Sequence, residues 1–202
     1  MNLEHITYIG PKLDEEAEIL AALPDNLVSL LKQINGFVQY GGGLHLRGVC
    51  NSPEWHSIGS MFHGKFALNK IYTSISEEDI PFAEDCVGDQ FLIRDKEIIK
   101  LFSETGEIEK YGYGLSTFLD ESSKNPVDFL GMEPLLQLQS NGSSLEPGQL
   151  IHVYPPFCTK EAKNGVSLKA VPSNEVLHFL YDFSKQISGL GENERVEVKI
   201  VE

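Results

Sequence analysis

Asp79-Ile-Pro-Phe-Ala-Glu-Asp-Cys-Val-Gly-Asp-Gln-Phe-Leu-Ile-Arg-Asp95 is the stretch on which the fold turns. Pro81 fixes its own φ, disfavours helix at Ile80 and cannot donate a backbone hydrogen bond, so the segment reads as a junction. An acidic turn at Glu84-Asp85 and the permissive Gly88 then feed Phe91-Leu92-Ile93, a run with the composition of a strand. Downstream, Asp95-Lys96 predicts a tight turn into a second strand over 97–102. A further turn at 104–107 leads to a third strand at 108–111, and a helix is predicted near 115–122 with a helical piece at 127–136.

Upstream of the junction the period is helical. Leu13, Ala17, Leu20 and Ala21 predict one amphipathic helix over 12–22, its acids gathered in the first turns where the helix dipole favours them. Pro24 opens a second helix, in which Leu27, Leu30, Leu31 and Ile34 recur at i, i+3, i+4 and i+7 before Asn35-Gly36 stops it. Short strands are expected at 37–40 and 44–49 around Gly41-Gly42-Gly43. Beyond the polar segment 140–144, Gln149–Tyr154 reads as a strand. Ser173 is expected to cap a helix carrying Val176, Leu180, Phe183 and Ile187, and Val196–Ile200 alternates as a half-buried strand should. Helices, then clustered strands with short turns, then a helix predict an α+β fold with a mostly antiparallel sheet covered by helices, extended by a C-terminal helix and strand.

Leu23-Pro24, the helix ending at Asn35-Gly36, Ile80-Pro81-Phe82-Ala83 and Gly88-Asp89-Gln90-Phe91, in that order, resemble the SUKH superfamily. That superfamily includes bacterial immunity proteins and the Smi/Knr-type cell-wall regulators of yeast. The resemblance covers roughly residues 20–130, which places a SUKH-like domain at 1–135 and a C-terminal extension packed on the same core at 136–202. It implies a protein-binding role, often as an immunity protein that neutralises a secreted toxin, frequently a nuclease. It implies no catalytic residues and no cofactor. A regulatory or scaffolding role of the Smi/Knr type is the alternative.

The composition agrees with a globular, protein-binding chain. At 202 residues, with 41% hydrophobic and 23% charged side chains, the chain is long enough to bury a core. Thirty acids against sixteen Lys plus Arg leave a net charge of −14, a field that repels phosphate backbones and anionic membranes. No nucleic-acid or membrane partner is expected; a basic protein is. The N-terminal residues lack the basic and apolar regions of a signal peptide, and no apolar run approaches the roughly 18 residues of a membrane span, so a cytoplasmic protein is expected.

Acids flanking the Ile-Pro-Phe-Ala segment, namely Glu77, Glu78, Asp79, Glu84 and Asp85, are the candidate recognition surface for Lys and Arg. Trp55, between Glu54 and His56, is the candidate aromatic anchor. Cys50, Cys86 and Cys158 show no metal spacing and read as free thiols of a reducing compartment. His56 and His63, with Cys50 and Glu54 nearby, match none of the usual zinc spacings. Gly41-Gly42-Gly43 precedes a strand rather than a helix N-terminus, so it reads as a hairpin turn and not a phosphate cradle. No catalytic, cofactor or metal residues are assigned. A small-molecule or carbohydrate enzyme would instead need a concave pocket holding ionisable groups with shifted pKa values.

Overall fold

The computed structural model describes residues 4–64 and 66–189. One seven-stranded sheet is built as a meander, each strand antiparallel to the next: β1 Ile6–Ile9, β2 Phe37–Gln39, β3 Leu44–Leu46, β4 Ile80–Asp85, β5 Gln90–Arg94, β6 Glu97–Phe102 and β7 Glu107–Lys110. The helices are α1 Asp25–Gln33, α2 Ile58–Phe62, α3 Leu115–Lys124, α4 Pro126–Leu130 and α5 Glu133–Ser140. A second, two-stranded sheet pairs β8 Gln149–Tyr154 with β9 Ser167–Pro172, and α6 Ser173–Ile187 follows it. The chain is therefore an α+β protein with a C-terminal helix. The strand expected at Val196–Ile200 lies outside the described residues.

The periodicities explain most of these elements. In α1, Leu27, Leu30 and Leu31 fall on one face and are buried, and each such side chain stabilises by about 1.5–3 kcal/mol. Asp95 and Lys96, at φ 51° and 72°, make the two-residue turn between β5 and β6, whose twist matches the flanking strands. In α6, Val176, Leu180 and Phe183 are buried; Val176 and Leu180 cluster with Leu150 of β8.

Three local expectations are corrected. Residues 12–22 hold only a 3-10 turn at Glu18–Ala22, held by i to i+3 bonds such as Leu20 N–H to Ala17 O; Leu13, Ala17, Ile19 and Leu20 pack against the core without full burial, and so short an acidic segment is marginal as an α-helix. Pro172, not Ser173, occupies the cap of α6, and Ser173 N–H instead donates to Gly148 O at 2.8 Å. The largest correction is the Ile80-Pro81-Phe82-Ala83 segment. It is not a junction followed by an acidic turn but β4, buried along its whole length in the middle of the sheet. A bulge between Pro81 and Ala83 shifts the pairing with β5, and a proline can sit in an inner strand at such an irregularity.

Alternation along the strands divides the core. Phe91, Ile93 and Ile98 face one side of the sheet, in a large cluster with α1, α3, α4 and α5. Leu92, Ile99 and Leu101 face the other, against Met61, Leu68, Tyr72 and Ile75. Ile151 and Val153 of β8 belong to the larger cluster, and Ile151 N–H donates to Cys86 O at 2.8 Å. Helix α5 itself spans residue 136 and buries Leu135 and Leu138 in the larger cluster, so the chain crosses residue 135 inside one core.

Candidate binding site

Because successive side chains of a strand point to opposite faces, Glu84 and Asp85 leave β4 in opposite directions. Each meets a basic side chain in the interior, and two polar centres result, one on each face of the sheet.

The register builds the first centre. His45 of β3 lies directly across from Glu84, and Glu84 lies across from Gln90 of β5. Glu84 Oε1 meets His45 Nδ1 at 2.8 Å, and its Oε2 accepts from Arg47 Nη2 at 2.6 Å and from Gln90 Nε2 at 3.0 Å. Arg47 Nη2 also donates to Gln90 Oε1 at 2.8 Å. The chain of bonds runs on from His45 Nε2 to His56 Nδ1 at 2.9 Å, and from His56 Nε2 to Asn35 O at 2.9 Å. Arg47 is only 1% exposed, and its Nε and Nη1 have no partner. Trp55 closes the cluster, its ring 5.0 Å from those of both His45 and Tyr8.

Hydrogen counting shows how this centre is charged. Asn35 O only accepts, and an ionised Glu84 only accepts. Two neutral imidazoles supply two hydrogens for three contacts. Donation from His45 to Glu84 and from His56 to His45 leaves the His56–Asn35 contact without one. Protonation of His56 would complete the chain, but burial, then the neighbouring His45, push its pKa down to about 4 against the pull of Asn35. Burial would raise Glu84, yet Arg47 and the His45 bond outweigh it and hold the carboxylate at about 2. The centre is thus a buried ion pair extended by a histidine chain, in which Arg47 Nε and Nη1 stay without a partner and one contact of the chain lacks a hydrogen.

The second centre opens onto a cavity. Asp85 Oδ2 accepts from Lys100 Nζ at 2.9 Å, and its Oδ1 accepts from the N–H groups of Val87, Gly88 and Asp89 at 3.0, 3.1 and 3.1 Å. Asp89 Oδ2 lies 3.2 Å from the same Nζ, while its Oδ1 accepts from Ser103 N–H at 2.9 Å. Two carboxylates therefore share one ammonium. Burial, then the charge of Asp85, raise the pKa of Asp89 to about 7. Burial opposes the charge on Lys100, but both carboxylates override it and raise its pKa.

These three side chains line a cavity of about 630 Å³ between β6, the α4–α5 link, β8 and α6. Phe102, Phe157 and Phe179 supply aromatic wall, and Glu104, Glu107 and Glu133 add further carboxylates. Glu104 holds the loop after β8 in place by accepting from the N–H groups of Phe157 and Cys158, both at 2.9 Å. Phe157 is 45% exposed, so the cavity opens beside a solvent-facing aromatic ring. Burial and Glu104 push the Cys158 thiol up to about 12, which disfavours its thiolate.

Few of the residues picked from the sequence form an accessible face. Glu77 and Glu78 are exposed, but Asp79 is buried in a two-pronged ion pair, with Arg94 Nε donating to its Oδ1 at 2.7 Å and Arg94 Nη2 to its Oδ2. Glu84 and Asp85 are each 2% exposed and fully engaged inside. A buried carboxylate needs a cation and hydrogen bonds, which takes it out of any surface. Trp55 is half-buried; its Nε1 would lie 2.8 Å from a Cβ on Gly148, so the ring packs beneath that loop rather than standing free. His56 is committed to His45 and Asn35, and His63 stacks on Phe62 at 3.7 Å. Among the described residues no three His, Cys, Asp or Glu side chains converge as a metal would require.

Sequence reasoning passed over Asp89, Lys100, Glu104, Glu107 and Glu133. A signal existed for Lys100: a lysine inside the otherwise apolar run Ile98-Ile99-Lys100-Leu101-Phe102 must find an acid when the strand is buried. The Glu104 and Glu133 positions carried none, since they depend on how the C-terminal segment folds back.

No protein-family model and no curated protein matches the sequence. Among solved structures, that of Atu4351 from Agrobacterium tumefaciens superposes with a TM-score of 0.54 at 11% identity, over 89% of this chain and 86% of that one, a likeness of fold alone.

Proposed function

We propose that this chain is a non-enzymatic binding protein that captures a basic protein partner, in the manner of an immunity protein occluding a toxin. The observation that supports the reading is the acid-rimmed aromatic cavity, with Phe157 exposed beside it. An apolar hollow surrounded by charge of one sign has the anatomy of a recognition site, where an anchor enters a pocket and complementary charges steer the encounter. It replaces the surface expected around Glu77, Glu78, Asp79, Glu84, Asp85 and Trp55, of which only Glu77 and Glu78 remain exposed acids. Unpaired Cys50, Cys86 and Cys158 suit a cytoplasmic location, and no helix among the described residues is long and apolar enough to cross a membrane. A regulatory role of the Smi/Knr type would use the same surface with several weaker partners.

The test is capture of partners from the native host by tagged protein, followed by a salt series and comparison with a Glu107→Lys/Glu133→Lys variant. A single basic protein that is released by salt and lost in the variant supports the reading. Capture that is indifferent to the variant removes the cavity from it.

One observation favours a second reading, an enzyme acting on a small molecule. Asp89, with a pKa near 7 on the cavity floor, could exchange a proton at neutral pH. Turnover of a small-molecule library that follows a pKa near 7 and disappears in Asp89→Asn would establish it.

A further inference from the structure

The cavity carries a charge imbalance that names its occupant. Five carboxylates, those of Asp85, Asp89, Glu104, Glu107 and Glu133, line it together with one ammonium, Lys100. Glu104 is occupied by two backbone N–H groups, which leaves its charge uncompensated by any cation. On the floor, Asp85 has its oxygens filled by Lys100 and three N–H groups, whereas Asp89 shares that lysine at the longer distance of 3.2 Å. The site with capacity for another cation is therefore beside Asp89. Phe102, Phe157 and Phe179 line the same cavity; Lys100 already lies over the Phe102 ring, 5.1 Å from its centroid, which leaves Phe157 and Phe179 as the rings for a planar cation, and such a cation stacks on an aromatic face more readily than a hydrated ammonium does. A volume of about 630 Å³ holds a long side chain with part of its backbone and lies within the range of small-ligand sites.

Resting on the protein-binding reading, we propose that the cavity receives an arginine side chain of the partner, its guanidinium against Asp89 and its stem between the phenylalanine rings. The fork of the guanidinium can donate to a carboxylate while its plane lies on an aromatic face, which a lysine cannot do.

The side-chain pocket can be tested without the partner. Isotope-labelled full-length protein is titrated with n-butylguanidinium, n-butylammonium and neutral n-butanol while backbone amide resonances are followed by NMR. Saturable shifts at Asp89, Phe102, Phe157 and Phe179 with the guanidinium, at least tenfold weaker with the other two, are expected. Asp89→Asn, a substitution of equal size, should weaken guanidinium binding tenfold or more, and Glu133→Gln, an exposed position in the first turn of α5, should weaken it several-fold at a cost to the helix of at most about 1 kcal/mol. Glu77→Gln, exposed and outside the cavity lining, should leave it unchanged. Equal binding of the alcohol, tighter binding of the ammonium, or indifference to both cavity variants overturns the assignment. Failure here with salt-sensitive partner capture intact would remove the arginine and leave the protein-binding reading; probe binding with no partner captured would do the reverse.

Discussion

Two titratable groups with pKa values displaced in opposite directions sit on opposite faces of the sheet, and their effects on stability oppose each other. His56 is held neutral in the fold down to about pH 4, whereas an unfolded histidine takes up its proton near 6.5. Between those values the unfolded chain binds more protons, so this contribution is complete above pH 6.5 and is lost as pH falls towards 4. Asp89 keeps its proton in the fold up to about 7, while an unfolded aspartate releases it near 3.9. In that window the folded chain binds more protons, and stability falls as pH rises. Asp89→Asn removes only the second effect, so the variant should gain stability with pH from 4.5 to 7 more steeply than the parent does. Urea midpoints at the two pH values check the sign; a slope unchanged or flattened would contradict it. Arg47 gives a harsher test. Arg47→Met leaves a buried Glu84 carboxylate without its cation and should cost about 3–5 kcal/mol in urea unfolding. Adding Glu84→Gln, which removes the charge but keeps an oxygen for His45, should recover more than half of that loss.

At the level of the element, turn chemistry decides register. Lys96 adopts φ 72°, a conformation that glycine enters at no steric cost and lysine does not. Lys96→Gly should therefore stabilise the β5–β6 hairpin by about 1 kcal/mol, read as a higher urea midpoint with unchanged slope. This turn and its two strands were legible from Phe91-Leu92-Ile93, Asp95-Lys96 and the apolar run 97–102, because local pattern and global pairing agree there. Helices α1 and α3 and strand β8 were legible for the same reason. Strand β4 was not: Pro81 argues locally against an inner strand, and only the pairing with β3 and β5, with its bulge, overrides that argument. Strands β1 and β9 escaped because their burial alternates only between half-buried and exposed, which leaves a weak period. The candidate site was the least legible. Adjacent acids in a loop mark a surface, but the same Glu84-Asp85 pair in a strand marks two interiors, and the difference rests on the assignment of β4.

Over the whole molecule, the net charge of −14 gives salt two effects of opposite sign. Self-repulsion among surface acids destabilises the folded chain at low ionic strength, and screening over about 8 Å at 0.15 M relieves it. The interior pairs Arg47–Glu84 and Lys100–Asp85 are shielded from that screening by burial, so they do not weaken in parallel. Stability measured by urea unfolding should therefore rise as salt is increased from about 0.01 M to about 0.15 M. The carboxylates that repel one another in the free protein are the ones that would draw in a basic partner, and for that encounter screening is a loss. Association with a cationic partner should slow over the same salt range while the fold becomes firmer. Measured together, the two responses separate a partner held by charge from one held by apolar contact alone: an association rate that ignores salt while stability climbs would mean that the acidic rim serves solubility and not recognition.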